Sequence, residues 1–159
     1  MLAETELALG MNDVAQHELS AISPDQLTPR ARALLGLALA RQEKLDEARA
    51  LASTIRLGPE ADSALLYDTA RLHARPGDAP QSIRCLILCL EATPPSQLDA
   101  AKARAKTCED FAALAQGPAF KMVMGTQSKV SESACSGGSS CGTCSLKGSC
   151  GSSKEHPKR

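Results

Sequence analysis

Residues 33–51, "ALLGLALARQEKLDEARAL", decide the fold. An apolar run with a glycine at its centre meets a polar break, "RQEK" at 41–44, and a second amphipathic run starts at Leu45. Apolar spacing near 3.6 residues on both sides of a short turn predicts two helices folded into a hairpin. Gly36 and Ala48 are small residues placed within those helices, where close approach of the two axes needs them.

The same arrangement recurs outward from this stretch. "LALGMNDVAQHEL" at 7–19, "LARQEKLDEARAL" at 39–51 and "HARPGDAPQSIRCL" at 73–86 carry matching positions that fall 33 and then 34 residues apart. Ala3, Gly36 and Ala70 form one column, and Ala15, Ala48 and Ser82 a second. Leu19, Ala52 and Leu86 form a third, Ile22, Ile55 and Cys89 a fourth, and the turn residues Gly10, Glu43 and Gly77 a fifth. Helix starts are read at Asp13 as a cap, at Thr28-Pro29, at Gly58-Pro59 and at Asp78-Ala79-Pro80. The expected helices are 2–9, 13–22, 29–42, 45–56, 60–74 and 80–92, then weaker ones at 97–106, 109–115 and 118–124, so the fold class is all-α.

A 34-residue period of paired helices with these small residues resembles the tetratricopeptide repeat. The Leu35-Gly36 pair and Ala48 match the family pattern, while Arg32, Leu39 and Ala52 stand where the family has aromatics and Glu43 replaces its turn glycine. "CEDFAALAQGPAF" at 108–120 is similar to the segment that ends many bacterial arrays of this kind. The resemblance implies a helix-hairpin solenoid of about three repeats over 1–94 and a helical cap over 95–124. The first helix is about two turns long, shorter than a complete first helix of the family, so either the array is shortened or further chain precedes it.

Such arrays hold peptides on the concave face. Carried over by position, the groove residues are Glu4 and Leu7, then Arg30, Ala33, Leu37 and Arg41, then Ala64, Tyr67, Arg71 and Arg75. Four arginines on one face are a seat for an acidic peptide or carboxylate partner, or alternatively solvated charges paired with neighbouring Asp and Glu. Exposed apolar ends of solenoids also invite pairing, so a homodimer is expected.

Residues 125–159 differ in composition. They form a polar linker followed by "ACSGGSSCGTCSLKGSC" at 134–150, which contains four of the seven cysteines and almost no apolar residues. This tail is expected to be flexible, because it lacks the side chains for a core. Cys135, Cys141, Cys144 and Cys150 have the spacing C-x5-C-x2-C-x5-C, which lets four thiolates close around zinc or hold an iron–sulfur cluster. The alternatives are a redox pair at "CGTC" and a tail of no fixed role. Cys85 and Cys89, four apart on a helix, either present two thiolates to one ion or pack in the core, and the Ile column of Cys89 favours packing.

Charge and composition exclude several classes. Net charge is zero over 159 residues. Residues 1–126 hold 13 Lys/Arg against 16 Asp/Glu, and 127–159 hold 5 against 2, far from the basic footprint of a nucleic-acid binder. There is no run long enough to span a membrane, and the start lacks a secretory pattern, so a cytoplasmic location is expected. The body has no nucleophile elbow, phosphate loop or HExxH, and His73 is read as a packed histidine. The sequence therefore reads as a non-enzymatic adaptor with a tethered metal-binding tail. The alternative is a thiol-disulfide or iron–sulfur delivery factor whose helices select the client.

Overall fold

The computed structural model describes residues 2–131, so Cys135, Cys141, Cys144 and Cys150 lie outside the described residues. Eight α-helices and a 3-10 turn make up the described part, with no strand among those residues. They are α1 (Leu2–Ala8), α2 (Asn12–Ser20), α3 (Pro29–Arg41), α4 (Leu45–Thr54), α5 (Ser63–Ala74), α6 (Ala79–Ala92), α7 (Pro95–Thr107), the 3-10 turn Glu109–Phe111, and α8 (Pro118–Val123).

The 33/34-residue offset is present in the backbone. Gly10, Glu43 and Gly77 all have left-handed φ, at 77°, 62° and 86°. The residue after each of them has nearly the same geometry, −82°/60° at Met11 and Lys44 and −82°/69° at Asp78. Its amide reaches back five residues in every case, to Glu6 at 2.8 Å, Leu39 at 3.0 Å and His73 at 3.0 Å. Three successive turns thus close their helix ends by one recipe, satisfying carbonyls that the helix leaves unpaired.

Consecutive helices pair as α1 with α2, α3 with α4 and α5 with α6, and each pair packs on the next in chain order. Ala15, Ala48 and Ser82 are fully buried, and Ser82 Oγ donates to the Ala70 carbonyl at 2.8 Å, a direct approach of α6 to the α5 backbone. Gly36 is used differently from the intra-hairpin role expected of it. A Cβ there would lie 2.9 Å from Leu72 Cδ2, so its space belongs to α5 of the following hairpin.

Two caps differ from expectation. Helix α5 begins at Ser63 because Asp62 accepts the Leu65 amide at 2.7 Å, whereas Gly58-Pro59 leads only into a turn closed by the Ala61 amide on the Gly58 carbonyl. A glycine has no side-chain acceptor to compete with an aspartate. Asp13 is likewise not the cap of α2; the turn fixes the start at Asn12, and Asp13 lies in the first turn. Asp78, in the column of Met11 and Lys44, does cap its helix through Gln81, and Thr28 caps α3 through Ala31. Ile22 departs from its column: α2 ends at Ser20, which leaves Ile22 exposed while Ile55 and Cys89 are buried.

The core divides into an Ala/Leu cluster around α1–α4 and a second cluster from α5 onward. All three aromatic residues of the chain sit in the second. Tyr67 meets Phe111 edge-on at 5.8 Å, and Phe111 meets Phe120 at 6.1 Å, fastening the 3-10 turn and α8 to α5 and α6. Beyond α8, the chain returns to α6: Ser128 Oγ donates to the Thr93 carbonyl at 2.6 Å, and the Lys129 amide to the Glu91 carbonyl at 2.8 Å.

Candidate functional site

Helices α3 and α5 carry the arginines singled out above, and the 3-10 turn brings an aspartate into their midst. Asp68 and Arg71 are three apart on α5, and Arg75, the helical-geometry residue just past its end, is four beyond Arg71, so the three share one face. Phe111, fully buried, anchors the turn, and the preceding residue, Asp110, enters the arginine cluster with 3 % of its surface exposed.

Asp110 accepts four N–H bonds. Arg41 Nε donates to Oδ1 at 3.1 Å and its terminal nitrogen to Oδ2 at 2.8 Å, in a fork. Arg71 Nε donates to Oδ2 at 2.9 Å and Arg75 Nε to Oδ1 at 2.7 Å. A carboxylate offers about four lone-pair sites, so these three residues fill Asp110, with the Cys108 thiol 3.7 Å from Oδ2 beside them. Burial disfavours its charge, but the hydrogen bond from Arg41, the charge of Arg71 and the hydrogen bond from Arg75 outweigh it and hold its pKa well below the carboxylate range.

The cluster extends along the molecule. Asp68, 1 % exposed, accepts from Arg30 Nε at 3.1 Å and from Arg71 at 3.2 Å. With fewer donors than Asp110, its pKa is raised, because burial outweighs the Arg30 and Arg71 contacts. Arg30 also meets Glu4 at 2.9 Å, and Arg41 donates to the Leu7 carbonyl at 2.6 Å. Four arginines thus face Glu4, Asp68 and Asp110 within the chain itself.

Of the other groove positions, Leu37 is fully enclosed and Tyr67 is 5 % exposed, which makes both part of the interior. Arg104 of α7 lies 4.1 Å over the Tyr67 ring, and Tyr67's phenol is raised, first by burial and then by Cys108. Tyr67 and Arg104 line a cavity of about 550 Å³ with Arg41, Arg71 and Cys108. Asp68 and Asp110 escaped the sequence reading, although the "EDFAAL" segment marked the place of the second.

Cys85 and Cys89 are buried free thiols, and burial pushes both up to about 11. Cys89 Sγ donates to the Ser63 carbonyl at 3.2 Å. His73 is half-buried with Nδ1 3.3 Å from Asp78 Oδ2; its pKa is lowered by burial, against the pull of Asp78. Among the described residues no group of three or more His, Cys, Asp or Glu is placed to hold a metal ion, and no helix is long and apolar enough to cross a membrane. Compared with known protein families, curated proteins and solved structures, the chain has no match.

Proposed function

We propose that the chain is an adaptor: a tetratricopeptide-type array of three helix hairpins with a C-terminal cap, which holds a protein partner and carries a thiolate cluster for zinc or an iron–sulfur cluster on its tail. The single observation that supports the array is the triplicate turn, with left-handed φ at Gly10, Glu43 and Gly77 and a five-residue back-bond after each. Repetition of a hairpin that cannot cover its own apolar faces is the logic of stacked repeats, whose extended surfaces serve binding.

The tail departs from a defined place. Ser128 and Lys129 are tied to the end of α6, and the first cysteine of the cluster follows six residues after Lys129 in sequence. Four cysteines with a central C-x2-C supply the soft ligands that zinc and iron–sulfur clusters select.

The test is metal and sulfide analysis, with an ultraviolet–visible spectrum, of full-length protein purified without oxygen beside Cys141→Ser/Cys144→Ser. The expected result is about one zinc or one cluster per chain, lost in the variant. Metal-free protein whose tail thiols titrate freely and form a reversible Cys141–Cys144 disulfide would replace the metal reading with the thiol-disulfide one.

A further inference from the structure

On the side of the molecule formed by α4 and α6, a cavity of about 680 Å³ opens beside the fifth helix. Helix α4 stops at Thr54, and the extended residues that follow leave Ile55 and Leu57 along its floor together with Leu88 of α6. Leu88, a large apolar side chain, is 37 % exposed. Leu57 and Leu88 also line a second, adjoining cavity of about 350 Å³, so the apolar floor runs on toward Val130.

The rim of the larger cavity carries Arg49, Arg56 and Arg84 against Asp78 as its one acidic lining residue. Arg49 pairs with Asp46, but Arg56 and Arg84 have no ion pair among the described residues, in contrast with the arginines around Asp110. An apolar floor between unpaired guanidiniums suits a ligand that is apolar on one side and acidic at its edges. The chain's own remaining segment has the wrong sign, since residues 132–159 hold four Lys/Arg and two Asp/Glu.

We propose that this α4/α6 groove is the partner-docking surface and that it takes an acidic amphipathic helix, its Leu-type residues on Ile55, Leu57 and Leu88 and its carboxylates on Arg56 and Arg84. This rests on the adaptor reading and adds the surface and the chemistry of the partner. The arginines of the α3/α5 face are already paired with Asp68 and Asp110, whereas Arg56 and Arg84 of the α4/α6 groove are left for a partner's carboxylates. A helix lying in it approaches Val130, next to the root of the cysteine tail.

The probe is a fluorescein-labelled synthetic 18-residue helix of Leu, Ala and Glu, with leucines at i, i+3, i+4 and i+7 and glutamates flanking them, beside a scrambled peptide of equal composition. Anisotropy with full-length protein should show saturable binding that weakens as salt is raised and is at least tenfold weaker in Arg56→Glu/Arg84→Glu and in Leu88→Asp. Circular dichroism checks that these exposed positions leave the fold intact. Amide shifts on peptide addition should cluster on α4 and α6. No binding, equal binding of the scrambled peptide, unchanged affinity in the double variant, or shifts centred on Arg30 and Arg104 would each overturn the proposal. In the last case the adaptor reading survives with another surface, and metal uptake by the tail is measured separately.

Discussion

Asp110 lies where three guanidiniums converge, and its removal would take their shared carboxylate from Arg41 and Arg75 and leave buried Arg71 with Asp68 alone. Breaking a buried ion pair from one side costs about 3–5 kcal/mol, so Asp110→Asn should lower stability by that order in urea unfolding of the full chain. Its pH dependence has a defined sign. The folded-state pKa is depressed, so the stabilisation is complete above the ordinary carboxylate value of about 3.9 and is lost as pH falls below it. The gap in melting temperature between the wild type and Asp110→Asn should therefore be constant from neutral pH down to about pH 5 and narrow steadily below about pH 4. A gap that does not narrow in acid would mean that Asp110 acts by shape and not by charge. The thiols make a second residue-level prediction. With Cys85 and Cys89 near 11, their thiolate fraction at pH 8 is reduced on the order of 100-fold relative to an ordinary thiol. Iodoacetamide followed by peptide mapping should label half-buried Cys108 in the native protein and reach Cys85 and Cys89 only after unfolding.

At the scale of elements, the three turns explain both a success and a weakness of the chain. Glu43 holds φ of 62° where its counterparts are glycines. A side-chain-bearing residue in left-handed conformation is disfavoured by roughly 1–2 kcal/mol, part of which glycine loses again through its freer unfolded state. Glu43→Gly should thus stabilise the protein by about 0.5–1 kcal/mol in urea unfolding, and a destabilisation would mean that the Glu43 side chain has a compensating role. These turns were legible because they are local: Gly10 and Gly77 mark them, and the five-column alignment places Glu43 among them. Helix starts were legible where a capping side chain stood at the right place, as at Thr28 and Asp78. They were misplaced where two signals competed, as with Gly58-Pro59 before Asp62. The arginines of the candidate site could be placed on one face by helical spacing, but their partner could not. Asp110 lies 69 residues from Arg41 and 35 from Arg75, and only the packing of Phe111 brings it there. The α4/α6 groove was equally hidden, because it depends on how far α4 extends before the chain straightens at Ile55.

For the whole molecule, contact of each hairpin with its neighbour alone would make stability a sum of local terms, and a defect at one end would fade before reaching the other. The charged cluster works against that locality. From Glu4 in α1 it passes through Arg30 in α3 to Asp68 and Arg71 in α5, reaches Asp110 in the cap, and returns through Arg41 to the Leu7 carbonyl in α1. Removing Asp110 takes a carboxylate from both Arg41 and Arg71 and leaves Arg41 held only by the Leu7 carbonyl, so the disturbance should reach the first hairpin. Phe120→Ala removes cap packing instead, in a cluster that includes no residue of α1 or α2, at a cost of roughly 3–5 kcal/mol. Native-state hydrogen exchange separates the two cases. Amides of α1 and α2 should exchange faster in Asp110→Asn than in a Phe120→Ala variant of equal global stability, while α8 should respond more to Phe120→Ala. Equal acceleration of α1 in both variants would mean that the helices open as one cooperative unit and that the charged cluster adds no coupling of its own. A response confined to the cap in both would mean that the bond from Arg41 to Leu7 survives without Asp110, and that the hairpins are held together by apolar packing between neighbours.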